Sequence, residues 1–256
     1  MNRILSIAKN AFREAIRDRV LYNLVVFVLL IVACAILLGD LTDGQEARTI
    51  VNIGLNSMLI FGTFIAIFVG VGLVSKEIER RTVYNIFSKP VGRGEFVVGK
   101  FLGLSLTLLI NVIVMGLGVS LALLYVGDRS LTLSIWPAVF LIYFELLITT
   151  AVAIMFSSFS TPALSALLTF FVFIIGHLSA SLRDLGAGLQ SPLASAVLET
   201  VYYVMPNLAL FSFRTEAATG LLPTVPMLGY AVAYSVLYCV VLLAISIIIF
   251  SRRNFK

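Results

Sequence analysis

Six apolar stretches, each close to or above the roughly 20 residues a helix needs to cross membrane hydrocarbon, dominate this chain. They run approximately over 21–39, 50–74, 97–126, 136–156, 162–180 and 227–250. Covering six such stretches in water would take polar surface that the sequence lacks. Charged residues make up only 12% and hydrophobic residues 60%, against about 25% charged in soluble domains. The solvent for most of the chain is therefore lipid, and a cytosolic enzyme, a disordered scaffold and a disulfide-stapled secreted domain are set aside. Cys34 and Cys239 lie within apolar runs, which gives neither a disulfide framework nor a zinc site. The expected fold is all-α: one transmembrane domain over residues 1–256 with six membrane-spanning helices. The third stretch is long enough to tilt or to project from the bilayer.

Lys and Arg in the connections set the orientation. Fourteen of the 18 fall in three segments, 1–20, 75–100 and the C-terminal tail, and only Arg48, Arg129, Arg183 and Arg214 fall elsewhere. Both termini and the 75–100 loop are therefore expected to face the cytosol, and no cleavable signal peptide is evident. Residues 193–213 are apolar enough to resemble a seventh span. However, Glu199 and Pro206-Asn207 interrupt them, and a true crossing would put Arg252, Arg253 and Lys256 outside. Short re-entrant helices within an external 181–226 segment fit better, because broken helices at membrane depth need protein or a water-filled cavity beside them.

Two cytosolic segments carry patterns of their own. Over residues 1–20, Ile4, Leu5, Ala8, Ala11, Phe12, Ala15 and Ile16 recur at helical spacing opposite a basic face. This predicts an amphipathic helix lying at the inner headgroup layer, drawn there by membrane lipid. The 75–96 loop begins with a dense charged turn and continues as a short amphipathic segment with Val83, Ile86 and Phe87 on one face. It stops at Lys89-Pro90, where the residue before proline leaves helical conformation. Such a segment is either a docking element seeking a partner groove or a solvated positive-inside loop. The net charge of +5 suggests anionic lipid or an acidic cytosolic partner, and nucleic acid is not expected.

The order Glu77-x-Glu79-x-x-Thr82, then Pro90-Val91-x-Arg93-x-Glu95, then Gly99-Lys100 at the next span resembles the membrane subunit of ABC-2-type ATP-driven transporters. The amphipathic entry helix, six spans, cytosolic termini and a broken external segment with Tyr202-Tyr203 and Pro206-Asn207 agree. The resemblance implies a coupling helix in the 75–96 loop, with Glu77, Glu79, Arg81, Thr82, Phe87, Pro90 and Arg93 as the side chains that meet a separate ATP-binding cassette subunit. It also implies a second copy of the permease or a related one, a cargo path between the two, and a bacterial or archaeal cell membrane. No Gly-x-x-x-x-Gly-Lys-Ser/Thr occurs in the sequence. ATP and Mg are thus expected on the partner, with no cofactor, metal or catalytic residue in this chain.

Within the spans, Asn56, Asn111 and Glu145 are the candidate path residues. An ionised carboxylate at the depth of Glu145 costs roughly 2.5–3.5 kcal/mol on insertion scales. It is therefore either a cargo or proton contact, or a protonated or hydrogen-bonded tie to Asn111, Asn56 or a threonine. His177 is not expected to be its partner: counted from the outer helix ends, the two residues differ in level by roughly 9 Å. Two other classes remain open. A proton-coupled secondary carrier or channel would use Glu145, and an intramembrane enzyme would need convergent catalytic groups that the sequence does not supply.

Overall fold

A computed structural model describes residues 2–15, 45–79, 92–188 and 192–252, together with scattered positions between 24 and 37. Among these residues the chain is helical, without strands. The elements are α1 (Asn2–Ala15), α2 (Glu46–Glu79), α3 (Arg93–Val126), α4 (Arg129–Ser134), α5 (Trp136–Ser157), α6 (Pro162–His177), α7 (Ser179–Gly188), α8 (Pro192–Val204), a 3₁₀ turn (Leu208–Phe211), α9 (Arg214–Ala218) and α10 (Val225–Arg252). Among the described residues, four helical segments are long and apolar enough to cross a membrane: Glu46–Ser75, Arg93–Val126, Arg129–Ser157 and Val225–Arg252. They coincide with the second, third, fourth and sixth predicted spans. The fifth is the shorter helix α6, and most of the first predicted span, 21–39, lies outside the described residues. Of the coupling loop, Arg81, Thr82, Phe87 and Pro90 lie outside the described residues; Glu77 and Glu79 continue α2, their side chains undescribed.

Helix α5 is the centre of the bundle, with α2, α3, α6 and α10 packed around it. Its composition suits that place: Ala138, Ala151 and Ala153 alternate with Leu141, Ile142, Leu146 and Ile154, all essentially inaccessible. Neighbouring helices come close where one side lacks a side chain. A Cβ placed on Gly62 of α2 would lie 2.5 Å from Leu146 Cδ1, so glycine lets α5 seat a leucine against the α2 backbone. Dense packing of this kind holds membrane helices together where lipid offers no hydrophobic drive between them.

The amphipathic helix α1 forms, but its small-residue face does not lie in lipid. Ala11 and Ala15 are fully buried against the first turns of α3. Gly99 and Gly103 form the seat: a Cβ on Gly103 would lie 2.5 Å from the Ala8 carbonyl oxygen and 2.6 Å from Ala11 Cβ. Lys100, between them, pairs with Glu14 at 3.2 Å. The closest part of the expected lipid face is thus taken by protein, and Leu5, 72% exposed, stays on the open flank. The four-residue spacing of Gly99 and Gly103 puts both on one face of α3, and nothing local in the sequence names the helix that packs there.

The start of α3 also meets the end of α10. Phe96 stacks on Phe250 with ring centroids 5.7 Å apart. Arg93 Nη1 donates to the Phe250 carbonyl at 3.1 Å and to that of Ser251. The last carbonyls of a helix have no intrahelical donor, and a cation is well placed there against the helix dipole. Glu95 reaches back to accept from the Gly92 backbone N–H at 3.0 Å, closing the first turn of α3. At the far end Gly127, with φ of +92°, ends α3 in a left-handed turn, and Asp128 immediately caps α4 by accepting from the Ser130 and Leu131 N–H groups.

Between α6 and α10 the chain is broken rather than continuous. Leu193–Val204 and Leu208–Ala218 meet at 50° across Pro206-Asn207. The break is held by side chains: the Asn207 N–H donates to the Tyr234 hydroxyl at 2.9 Å, and the Tyr238 hydroxyl donates to the Val204 carbonyl at 2.9 Å. Ser179 Oγ donates to Asn207 Oδ1 at 2.9 Å. Backbone polar groups freed by the break are thereby satisfied by α10 and by the segment itself.

Candidate functional site

Glu145, in the second half of the third turn of α5, is completely buried. A carboxylate there must find a positive partner or hold a proton. It finds two. His177 Nε2 lies 3.0 Å from Oε1, and Arg214 Nη1 lies 3.9 Å from Oε2. Three elements thus converge on one carboxylate: α5 brings the acid, the last residue of α6 the imidazole, and the first residue of α9 the guanidinium.

This arrangement corrects the expectation that His177 lies too far in level from Glu145. That expectation treated 162–180 as a complete crossing with its end at the membrane face. Helix α6 has 16 residues, about 24 Å at 1.5 Å per residue, less than the roughly 30 Å hydrocarbon thickness. Its end therefore stops short, and His177 reaches the depth of Glu145. Pro162 at the first turn starts the helix with its fixed φ. Gly176 lets the broken segment close over the other end, where a Cβ would stand 2.7 Å from the Pro206 carbonyl oxygen. Asn111 and Asn56, the expected partners, are elsewhere. Arg214 was missed altogether, although a buried acid's need for a cation makes the few Arg and His residues outside the cytosolic segments the natural candidates.

The cluster has a definite hydrogen-bond state. His177 Nδ1 lies 3.1 Å from the Phe173 carbonyl oxygen, which can only accept, so Nδ1 carries a proton. Both Glu145 oxygens, His177 Nε2 and Arg214 Nη1 are buried without a well-aligned hydrogen bond. Four polar atoms therefore face one another, drawn together by charge rather than by directed bonds.

The other candidate path residues do not join this cluster. Asn111 is buried on α3 and donates from Nδ2 to the Thr107 carbonyl at 2.7 Å, leaving Oδ1 without a partner. Asn56 turns to the open face of α2 and donates to the Asn52 carbonyl of its own helix at 2.7 Å. It stands in line with Ile60, Phe64 and Phe68, all exposed. A cavity of about 380 Å³ at the far end is lined by Glu46, Ala47, Val126, Gly127 and Asp128, and none of the three residues borders it. Arg93 lies on the end of α10, as described, so part of the predicted coupling set also fastens two helices together.

The sequence profile of the family described as ABC-2 family transporter protein matches residues 5–255. The chain is also similar to the probable ABC transporter permease protein NosY of Stutzerimonas stutzeri, with 30% identity over 119 residues. That alignment covers 44% of this chain and 43% of NosY, so less than half of the relative's length is matched. With the family spanning nearly the whole sequence and four helices able to cross a membrane, the chain belongs to the ABC-2 family of transporter proteins, as a multi-pass membrane component of an ABC transporter.

Proposed function

We propose that this chain is the permease of an ATP-driven exporter and is worked by ATP hydrolysis on a separate nucleotide-binding subunit. The observation that carries this reading, beside the family, is the pair α2 and α3. Each has 34 residues, about 51 Å at 1.5 Å per residue, well beyond the roughly 30 Å hydrocarbon core. They pack along each other and on α5, and the 75–96 loop joins them. A push delivered to that loop by a cytosolic ATPase would travel along two rigid rods into the bundle. In this reading residues 21–39 and 162–180 complete six spans, the latter finished beyond His177 by the start of α7. The termini and the loop face the cytosol, and the broken segment between α6 and α10 is re-entrant from outside. Two permeases enclose the cargo path, ATP and Mg remain on the partner, and this chain catalyses no reaction itself. The meeting of Arg93 and Phe96 with the end of α10 supports a common side for the loop and the C-terminus. The open stripe of Asn56, Ile60, Phe64 and Phe68 suits an amphiphilic cargo or a second permease.

The test is Glu79→Lys, assayed in the complex purified with its cytosolic partners and reconstituted in vesicles. Charge reversal at the loop should leave membrane insertion and basal ATP hydrolysis intact and abolish cargo movement. Normal transport by the variant would overturn the coupling role, and proton-driven flux by this chain alone would replace the ATP-driven reading with a secondary carrier. Arg93 is the poorer probe, because its loss also frees the end of α10.

A further inference from the structure

The Glu145 cluster sits at both ends of the broken segment at once. His177 immediately precedes it and Arg214 opens its last helix, so the two oxygens of one buried carboxylate hold the two ends against α5. We propose that Glu145, His177 and Arg214 form a buried proton-binding site, and that the proton held there keeps the α6 end of the broken segment docked on the bundle.

The Nδ1 proton of His177 is committed to the Phe173 carbonyl. Without a second proton, Nε2 would face Glu145 Oε1 at 3.0 Å lone pair to lone pair, next to a full negative charge. One further proton makes the contact attractive in either form, imidazolium with carboxylate or imidazole with carboxylic acid. Arg214 holds the other oxygen and does not depend on that proton. Once released into water at neutral pH, an imidazole and a carboxylate together hold no such proton. The docked form therefore binds one proton more than the released form, and its stability falls as pH rises.

On the surrounding short helices, Arg129 of α4, Asp184 of α7 and Glu199 of α8 are all exposed, and α7 also carries Arg183. Helix α2 has no charged residue between Arg48 and Lys76, and α3 none between Lys100 and its end. On α6 the only ionisable side chain is His177, and the 3₁₀ turn has none. Helix α5 adds the phenol of Tyr143, and α10 adds Tyr230, Tyr234, Tyr238 and Cys239 before Arg252. On α9, Glu216 is exposed. Among the described residues, only His177 and Arg214 come within ion-pair distance of Glu145.

His177 is the single histidine of the chain, which makes the test clean. The full chain, purified without a histidine tag and placed in lipid nanodiscs with ¹⁵N-labelled histidine, gives one imidazole to titrate between about pH 6 and about pH 9. Hydrogen exchange of residues 178–188, corrected for intrinsic rates, reports docking of the α6 end. In the wild type, protection there should fall by up to tenfold per pH unit from the released imidazole's pKa of about 6.5 up to the docked midpoint, the slope of a one-proton difference, and level off above it, while residues 214–218 hold. Glu145→Gln should move the imidazole midpoint by at least one unit, a tenfold change in proton affinity. His177→Gln supplies a permanent N–H donor and should keep the segment protected at both ends of the range. An imidazole midpoint unchanged in Glu145→Gln, or a pH dependence of exchange in His177→Gln equal to that of the wild type, overturns the proposal. Should Glu145→Gln fail to fold, the wild-type titration and His177→Gln decide it.

Discussion

Two charge contacts, one a single ion pair and the other a carboxylate with two cationic partners, fasten two peripheral pieces of this molecule to its bundle, and they differ in how much water reaches them. At the start of α3, Lys100 and Glu14 meet at 3.2 Å with the Glu14 side chain 38% exposed. On α5, Glu145 is fully buried where it meets His177 and Arg214, whose side chains are 22% and 12% exposed. The first pair supplements a contact already made by packing, since α1 lies in the glycine groove of Gly99 and Gly103. The second joins a contact that is also packed and hydrogen-bonded, but it is buried: remove one member and a charge remains in a place where water cannot repay its lost hydration. Charge contacts therefore set register in one region and help to hold a segment in place in the other.

The largest effect is expected from Glu145→Ala. It strands Arg214 and His177 beside an apolar cavity, and breaking a buried pair in this way costs about 3–5 kcal/mol. Thermal unfolding of the full chain in nanodiscs should show a large loss of stability, with hydrogen exchange rising first over Arg214–Ala218. Stability equal to wild type would mean that the packing of Leu208 and Phe211, not the charges, holds the broken segment.

Next in size is Gly103→Val, which tests the packing half of α1 docking. The added Cβ alone meets the Ala8 carbonyl oxygen at 2.5 Å, and backbone cannot swing aside as the tip of a side chain does. Overpacking of this kind costs about 1–3 kcal/mol. Protease nicking within Asn2–Ala15 should accelerate while the melting of the remaining helices changes little. Undisturbed α1 would assign its docking to the Lys100–Glu14 pair instead.

A smaller effect belongs to the turn between α3 and α4. The Ser130 hydroxyl, followed by the Leu131 N–H, holds the Asp128 carboxyl below its usual range. A group depressed in this way stabilises the folded turn above its unfolded pKa, and that contribution is lost as pH falls through the folded one. Exchange at the amides of Ser130 and Leu131 should rise on acidification below about pH 4. Asp128→Ala should show the same fast exchange at neutral pH, at a cost of about 1 kcal/mol. Flat exchange across the acid range would place the cap's stability in the Gly127 turn alone.

These contrasts also mark what the sequence could reveal. Residues 50–74, 97–126, 136–156 and 227–250 are legible as spans because length and hydropathy alone demand it, and α2, α3, α5 and α10 follow them. The broken segment is legible in part, since Pro206-Asn207 forbids a continuous helix, but nothing local says that Tyr234 and Tyr238 on a later helix satisfy its backbone. Glu145 stands out as costly, whereas its partners do not: pairing it with His177 depends on where α6 stops, a tertiary fact that a count of apolar residues misplaces by several residues. The motif around Arg93, Glu95, Gly99 and Lys100 reads as a family signature, but its geometry is an end-cap for α10, an N-terminal closure of α3 and a seat for α1. Those roles need the neighbouring helix in view.

The least effect is expected from Glu14→Ala, and it is the necessary control for Glu145. An exposed ion pair contributes about 0.2–1 kcal/mol. Lys100 also has its ammonium 5.8 Å from the centre of the Phe96 ring, a favourable cation–π placement. Its long stem can carry the charge toward headgroups when the carboxylate is gone. The melting point should therefore barely move. What separates the two pairs is salt. Exposed charges are screened at a Debye length of about 8 Å near physiological ionic strength and about 3 Å at 1 M. Release of α1, read as nicking of residues 2–15, should rise modestly with salt in the wild type and lose that dependence in Glu14→Ala. Exchange over Arg214–Ala218 should ignore salt in both proteins, because ions do not reach Glu145. A salt-sensitive α9 would show that water and ions enter the cluster, and the distinction between the two regions would then be one of degree.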